Sequence, residues 1–194
     1  MNDALGLSAR LDQFHRLLGA TEVSDRRGKA IDRDAGMAAA VDLLAATAAA
    51  GAAVYLAGNG GSAAIVSHVQ TDLVNAVGMR AYTVHESSLL TCMANDHGYG
   101  EAFARIVERL AEPRDLLIAV SSSGRSPNLL EAVRRFAARG GKAMTLTGFG
   151  ADNPLRQLGE INLWLDVEDY GLVEVGHQFL LHNLTDRLRD RLRA

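Results

Sequence analysis

A glycine-rich turn is the first part of the sequence whose residue types suggest ligand chemistry. The apolar segment VYLAG (54–58) is followed by Asn59, Gly60, Gly61 and Ser62, and then by a helix-like segment. Glycines let main-chain N–H groups approach a ligand closely, and the N-terminus of the following helix favours an anion. The turn has neither the lysine of a P-loop nor the spacing of a dinucleotide-binding fingerprint. By itself it predicts an anion site and a purely structural turn about equally well.

A serine-rich turn follows a second apolar segment, LLIAVS (116–121). It contains Ser121, Ser122, Ser123 and Ser126 and opens another helix-like segment. One of these serines could serve as the N-cap of that helix, which is the structural alternative. Four serines in six residues exceed what one cap needs, and serine hydroxyls can donate hydrogen bonds to phosphate oxygens. We therefore expect a phosphate group at this turn.

Short apolar segments separated by helical patterns indicate how the two turns are positioned. Five segments predict strands: VYLAG (54–58), AYTV (81–84), LLIAVS (116–121), AMTLTG (143–148) and INLWLDV (161–167). Strands buried on both faces and separated by helices are typical of a five-stranded parallel sheet in a doubly wound α/β fold. Ligands of such sheets bind at the carboxyl ends of the strands, where both turns lie. A ligand shared by the two turns is therefore expected.

Two helices are predicted ahead of the first strand. Residues 5–18 carry leucines near helical spacing, beginning with Leu5, and an alanine-rich segment predicts a second helix over 34–50. These helices could pack on the sheet or against another subunit, so we predict a homo-oligomer. We divide the chain as one domain, with an N-terminal helical pair (1–51) and an α/β core (52–194).

Composition and charge disfavour several classes of protein. The 194 residues, 48% hydrophobic, are in the usual range for one globular domain. Basic and acidic residues (20 and 23) are mixed along the chain, so nucleic acid is not an expected partner. The lone Cys92 and the absence of a signal-peptide pattern at the start predict a cytoplasmic location. The most apolar stretch, Met37 to Leu56, is interrupted by Asp42 and Gly51, so no membrane span is expected.

The two turns resemble those of the sugar isomerase (SIS) family, in which a loop of the form SxSGxS binds a sugar phosphate. Four segments look like its phosphoheptose isomerase branch: LAGNGGSAA (56–64), MANDHGYGEAF (93–103), DLLIAVSSSGRSPN (115–128) and TLTG (145–148). The resemblance covers nearly the whole chain. It implies the SIS fold and a homotetramer. It also implies isomerisation of sedoheptulose 7-phosphate to D-glycero-D-manno-heptose 7-phosphate, a step in lipopolysaccharide heptose biosynthesis.

The resemblance also implies the residues of the site. His68 and Asp72 stand where the family places a zinc-binding histidine and a catalytic glutamate, and Glu174 and His182 stand where it places a glutamine and a second histidine. All four are implied ligands of one Zn²⁺ ion per subunit, and the last three are implied catalytic groups. His68 and Asp72, four residues apart, can share a helix face. His177 lies at a different helix angle from His182 and is expected either to support the site residues from behind or to be structural. The implied substrate contacts are Asn59, Gly60, Gly61, Ser62, Asn95, Asp96, Ser121, Ser122, Ser123, Ser126 and Glu174.

Three departures from the family pattern keep alternatives open. Asp72 replaces glutamate, Glu174 replaces glutamine and adds negative charge, and LVNAVGMR (73–80) replaces an expected basic loop. The chain could therefore be an isomerase of another sugar phosphate. It could also be a non-catalytic SIS-fold adaptor resembling the replication-initiator-associating protein. The presence of His182 favours the enzyme.

Overall fold

The computed structural model describes residues 6–193 and is built around one sheet. Within these residues the strands are β1 (Glu22–Asp25), β2 (Ala30–Ile31), β3 (Val54–Gly58), β4 (Ala81–Thr83), β5 (Leu116–Ser121), β6 (Lys142–Gly148) and β7 (Ile161–Leu165). The helices are α1 (Leu7–Gly19), α2 (Arg33–Ala49), α3 (Gly61–Thr71), α4 (Ser87–His97), α5 (Tyr99–Leu110), α6 (Pro127–Ala138) and α7 (Tyr170–Arg193). A π-helical segment (Asp72–Val77) continues α3, and a 3₁₀ helix spans Pro154–Gln157.

The five predicted strands form the parallel part of the sheet. Their order is β7–β6–β5–β3–β4, and each neighbouring pair is parallel. Helices cover both faces, which confirms the predicted doubly wound α/β architecture. Because β3 and β5 are neighbours, with Gly58 opposite Val120, the two turns that follow them lie side by side at the carboxyl edge.

The prediction of a five-stranded, wholly parallel sheet is wrong in one respect. Strands β1 and β2 form an antiparallel hairpin between α1 and α2, and β1 pairs antiparallel with β7. The turn of this hairpin uses Gly28 with a φ of 74°, and the Asp25 carboxylate accepts hydrogen bonds from the N–H groups of Arg27 and Lys29. Strand β2 contains only two residues. That length is too short for alternation of apolar and polar residues to reveal it.

Alternation along the central strands divides the core between the two faces of the sheet. Val54 and Leu56 belong to the apolar layer shared with α2, α3 and α7. Tyr55 and Ala57 belong to the opposite layer, shared with α5 and α6. This period of two is what a strand buried on both faces requires. The sheet is therefore held rigidly on both sides, and the turns at its carboxyl edge start from fixed positions.

The two leading helices lie close to their predicted bounds, although Leu5 falls outside the described residues. Helix α2 packs on the sheet through an apolar face that includes Leu44, which is 1% exposed. Helix α1 buries Leu17 but leaves Leu7 and Leu11 largely exposed. These exposed leucines could pack against another subunit. The homo-oligomer stays a prediction.

The most apolar stretch of the sequence is shared between α2 and β3, as a helix that leads into a strand. Among residues 6–193, no helix has the length and apolar character needed to cross a bilayer.

Candidate active site

The glycine turn (59–62) and the serine turn (121–126) line one cavity of about 230 Å³, which we call the anion cavity. It lies at the carboxyl edge of β3 and β5, where ligands of doubly wound sheets bind. The lining residues are Asn59, Gly60, Gly61, Ser62, Val120, Ser121, Ser122, Ser123, Ser126, Tyr170 and Glu174. Tertiary structure thus brings together the substrate residues predicted in both turns.

The hydroxyl groups of the serine turn differ in how they are bonded. Ser126 is the N-cap residue of α6, but its side chain makes no capping hydrogen bond. Ser122 is 4% exposed, and its hydroxyl has no hydrogen-bond partner among residues 6–193. Leaving such a group unpaired costs about 1–3 kcal/mol, which a ligand oxygen would offset. By contrast, the hydroxyls of Ser121 and Ser123 accept hydrogen bonds from the backbone of the turn. The geometry therefore favours a bound anion over a surplus helix cap.

The glycine turn brings Glu174 against the N-terminus of α3. A Cβ atom at Gly61 would collide with the Glu174 carboxylate, so a larger residue at this position would require the Glu174 side chain to move. A carboxylate in this place is stabilised by the partial positive charge of the helix N-terminus. Glu174 and Gly61 also line a second cavity of about 500 Å³, which contains His68 and His182 and which we call the histidine cavity. The two cavities therefore share a wall.

Three of the four predicted metal ligands meet beside the histidine cavity. The Nδ1 atom of His182 lies 3.1 Å from Oδ2 of Asp72, and Nε2 of His68 lies 3.8 Å from Oδ1 of the same carboxylate. The two imidazole rings meet edge to face, with centroids 4.9 Å apart. Each residue offers a donor atom within 4.8 Å of the donor atoms of the other two. The pairing of His68 with Asp72 on one helical face agrees with their spacing.

The donor set fits a divalent metal ion. Oδ2 of Asp72 is buried and makes no hydrogen bond with any residue from 6 to 193, although His182 is near it. Two imidazole nitrogens and one carboxylate oxygen are the ligands of many catalytic zinc sites, which leave a position open for substrate. His68 and His182 are partly exposed, so one side of the group is open. Glu174 is not a member of this three-residue group, and its ligation of a metal stays a prediction.

Asp72 is positioned by a change of helix type. Helix α3 ends at Thr71, and the chain continues as a π-helix from Asp72 to Val77. Turns of this type are rare in proteins and are frequent at functional sites. This segment takes the place of the expected basic loop, and the sequence pattern predicted only an ordinary helix here.

Tyr170 is a residue of the anion cavity that sequence reasoning missed. Its ring packs edge to face on Phe149, with centroids 4.8 Å apart. Phe149 directly follows β6 and has a φ of 55°, a conformation that is unfavourable for a bulky residue. The indole N–H of Trp164 donates to the Phe149 carbonyl at 3.1 Å and helps to hold it. Strained residues of this kind cluster at active sites. In the sequence, the only signal for Tyr170 is an aromatic residue in the connection after the last strand.

Asn95 and Asp96 do not line either of these cavities. Both are exposed on α4, where Nδ2 of Asn95 donates to Oδ1 of Asp96 at 3.0 Å. Their predicted contact with substrate stays a prediction. The same sequence segment instead reaches the glycine turn through Tyr99, whose hydroxyl donates to Oδ1 of Asn59 at 2.7 Å.

His177 lies on a different side of α7 from His182 and is fully buried. Burial lowers the pKa of His177 to about 4, against a smaller opposing effect of the Thr147 backbone. The imidazole is therefore neutral near pH 7, which agrees with a structural role.

Comparisons with known proteins show which family this chain resembles in sequence and fold. The family model of the SIS domain matches residues 22–148. A phosphoheptose isomerase of Burkholderia pseudomallei (strain 1710b) is 37% identical over 149 residues, which are 73% of this chain and 74% of that protein. A phosphoheptose isomerase of Aromatoleum aromaticum is 32% identical over 187 residues, covering 91% of this chain and 94% of that protein. The solved structure of a phosphoheptose isomerase from Francisella tularensis has the same fold, with a TM-score of 0.82 at 22% identity, covering 98% of this chain and all of that one.

Proposed function

Because this chain belongs to the SIS family and, within it, to the phosphoheptose isomerases, we propose that it converts sedoheptulose 7-phosphate into D-glycero-D-manno-heptose 7-phosphate. At the coarser level the chain is a sugar-phosphate isomerase. The observation that best supports the proposal is that the anion cavity and the histidine cavity are adjacent, with Gly61 and Glu174 lining both. If the phosphate of a sugar binds at the serine turn, the rest of the sugar can reach into the histidine cavity, toward His68, Asp72 and His182.

The proposed reaction needs a base, an acid and stabilisation of an enediol. Aldose–ketose isomerisation moves a proton between neighbouring carbon atoms, and positioned carboxylates and imidazoles are suited to that transfer. We assign the role of base to one of two carboxylates, Asp72 or Glu174, and the role of acid/base partner to His182. Oδ2 of Asp72 has no hydrogen-bond partner among the described residues, so it is available for this work. Glu174 lines both cavities, which supports a role beside the sugar.

We propose one zinc ion per subunit, held by His68, Asp72 and His182 with Glu174 as a fourth ligand. When bound, the ion would polarise the oxygens of the substrate and stabilise negative charge on them. The protein supplies two imidazole nitrogens on separate helices, α3 and α7, so ion binding would also fix these helices relative to each other.

Recognition of the phosphate is assigned to the serine turn and to the first main-chain N–H groups of α3, which lack helical acceptors. Ser62 and the backbone of Asn59 would orient the sugar, and we also propose contacts from Asn95 and Asp96. We further propose a homotetramer, supported by the exposed leucines of α1. A cytoplasmic location is proposed from the single free cysteine.

The test combines metal analysis with an isomerase assay over several ketose phosphates. We expect bound zinc and a kcat/KM for sedoheptulose 7-phosphate well above that for the other sugars. His182→Ala should lower turnover by about 100-fold or more, while phosphate affinity changes little. His15→Ala, an exposed histidine on α1, is the matched control. Preference for a different ketose phosphate would reassign the substrate, and phosphate binding with neither metal nor turnover would favour the adaptor.

A further inference from the structure

A hydrogen-bond network joins the glycine turn to the start of α6. Asn128, the second residue of α6, is 1% exposed and faces Asn59. Nδ2 of Asn59 donates to Oδ1 of Asn128 at 3.0 Å, and Nδ2 of Asn128 donates back to Oδ1 of Asn59 at 2.9 Å. The hydroxyl of Tyr99 donates to the same Oδ1 atom at 2.7 Å. We call these three residues the amide clamp.

One backbone group fixes the direction of every bond in the amide clamp. The N–H of Leu129 can only donate, and it lies 3.1 Å from Oδ1 of Asn128. The other side-chain atom of Asn128 is therefore the NH₂ group, and the atom of Asn59 that it meets must be the carbonyl oxygen. The Tyr99 hydroxyl must then be the donor in its bond. A flip of either amide would place like groups opposite each other, so the clamp has a single favourable arrangement.

The amide clamp occupies most of the hydrogen-bonding capacity of the Asn59 side chain. The Asn59 amide makes two hydrogen bonds with the amide of Asn128 and one with the hydroxyl of Tyr99. What the glycine turn still offers to an anion is mainly its backbone. Because Asn59 adjoins Gly60, and Asn128 lies two residues after Ser126, the clamp links the two turns directly, beyond the last paired residues of β3 and β5. Sites of this kind need their groups held within about 0.5 Å of the productive geometry.

Tyr99 connects the segment 93–103, which lines neither cavity, to the glycine turn. The segment MANDHGYGEAF (93–103) contains Asn95 and Asp96, which lie elsewhere, as well as Tyr99. The Tyr99 ring packs near Phe103, with centroids 6.2 Å apart, and it is about half exposed. The ring is thus placed by packing, and the hydroxyl is left to act on Asn59.

We propose that Asn128 and Tyr99 are positioning residues, which hold the glycine turn and the serine turn at the separation required by one phosphate group. This inference rests on the proposed function, since a phosphate is the ligand that both turns would share. Neither residue needs to touch the reacting carbon atoms. Their loss should therefore weaken phosphate binding and raise KM, and it should leave kcat nearly unchanged.

The experiment compares Tyr99→Phe, Asn128→Ala and the double variant by calorimetric titration with inorganic phosphate. Tyr99→Phe removes one neutral hydrogen bond and should weaken binding about 2- to 10-fold. Asn128→Ala removes both amide bonds and should weaken it about 10-fold or more. Because both residues act through Asn59, the loss in the double variant should be smaller than the product of the two single losses. Tyr82→Phe, an exposed tyrosine on β4, is the control and should bind phosphate like the wild type.

Thermal unfolding and the steady-state constants separate positioning from a general loss of structure. Tyr99→Phe should keep the wild-type unfolding midpoint and kcat while its KM rises, whereas partial unfolding would lower the apparent kcat. Wild-type phosphate affinity in both single variants would overturn the inference and leave the proposed function intact, and so would losses that multiply fully in the double variant. A wild-type protein that binds no phosphate would overturn both proposals.

Discussion

Replacing Ser126 with alanine distinguishes a ligand-binding hydroxyl from a helix cap. Ser126 occupies the N-cap position of α6, but its hydroxyl makes no capping bond. Its main-chain carbonyl accepts the N–H groups of Leu129 and Leu130, each at 3.1 Å, and these bonds survive the substitution. We therefore expect the free energy of unfolding to change by less than about 0.5 kcal/mol.

The phosphate affinity of Ser126→Ala should fall much more than its stability. A charge-assisted hydrogen bond from a hydroxyl to a phosphate oxygen contributes about 1.5–3 kcal/mol. Removing it corresponds to a dissociation constant about 10- to 150-fold higher. Calorimetric titration with inorganic phosphate at fixed ionic strength measures this change directly, and denaturant unfolding of the same samples measures stability.

Asp32→Ala provides the matched control, because Asp32 is a helix cap that is in use. Its carboxylate accepts the N–H of Ala35 at 3.0 Å at the start of α2, outside the anion cavity. Loss of such a cap costs about 0.5–2 kcal/mol, and phosphate affinity should stay the same. The reasoning is refuted if Ser126→Ala loses stability as Asp32→Ala does and still binds phosphate like the wild type.

Three further predictions address charge, pH and assembly. Glu174→Gln removes a negative charge from the wall of the anion cavity, so phosphate affinity should rise about 2- to 5-fold by calorimetry; an unchanged affinity would contradict this electrostatic role. Because the pKa of His177 is about 4 in the folded state and 6.5 ordinarily, only the unfolded state takes up this proton between those values. The free energy of unfolding should fall by about 3 kcal/mol as pH drops through this window, and His177→Gln should flatten the dependence in urea titrations whereas His15→Gln should not. Deletion of residues 1–30 removes α1 and the pairing of β1 with β7, so light scattering should detect monomers or aggregates, and a native oligomer would contradict the assembly proposal.

Local sequence patterns were sufficient to predict the parallel strands and the two turns that follow them. Each central strand is a short apolar run, because strands buried on both faces need apolar residues at every position. The turns were recognisable because glycines and serines interrupt those runs at the carboxyl ends. Motifs resembling a known family then indicated His68, Asp72 and His182, three residues that the fold does bring together.

Other features depended on contacts between distant segments. Strand β2 forms through pairing with β1, and its two residues carry no periodicity of their own. The π-helix that begins at Asp72 spans only six residues, which is too few for its wider hydrogen-bond spacing to appear as a distinct period in the sequence. Tyr170 reaches the anion cavity because α7 begins beside the strained Phe149.

The sequence by itself therefore determined the fold class, the edge of the sheet that carries the site and the residue types available there, because these depend on short-range periodicity and composition. Only the tertiary structure decided how those residues are used. It brought His68, Asp72 and His182 into one group and placed Glu174 against Gly61, in the wall of the histidine cavity. It also engaged the amide of Asn59 with Asn128, a residue 69 positions away. Such pairings depend on where chain segments meet in space, which local spacing along the chain does not encode.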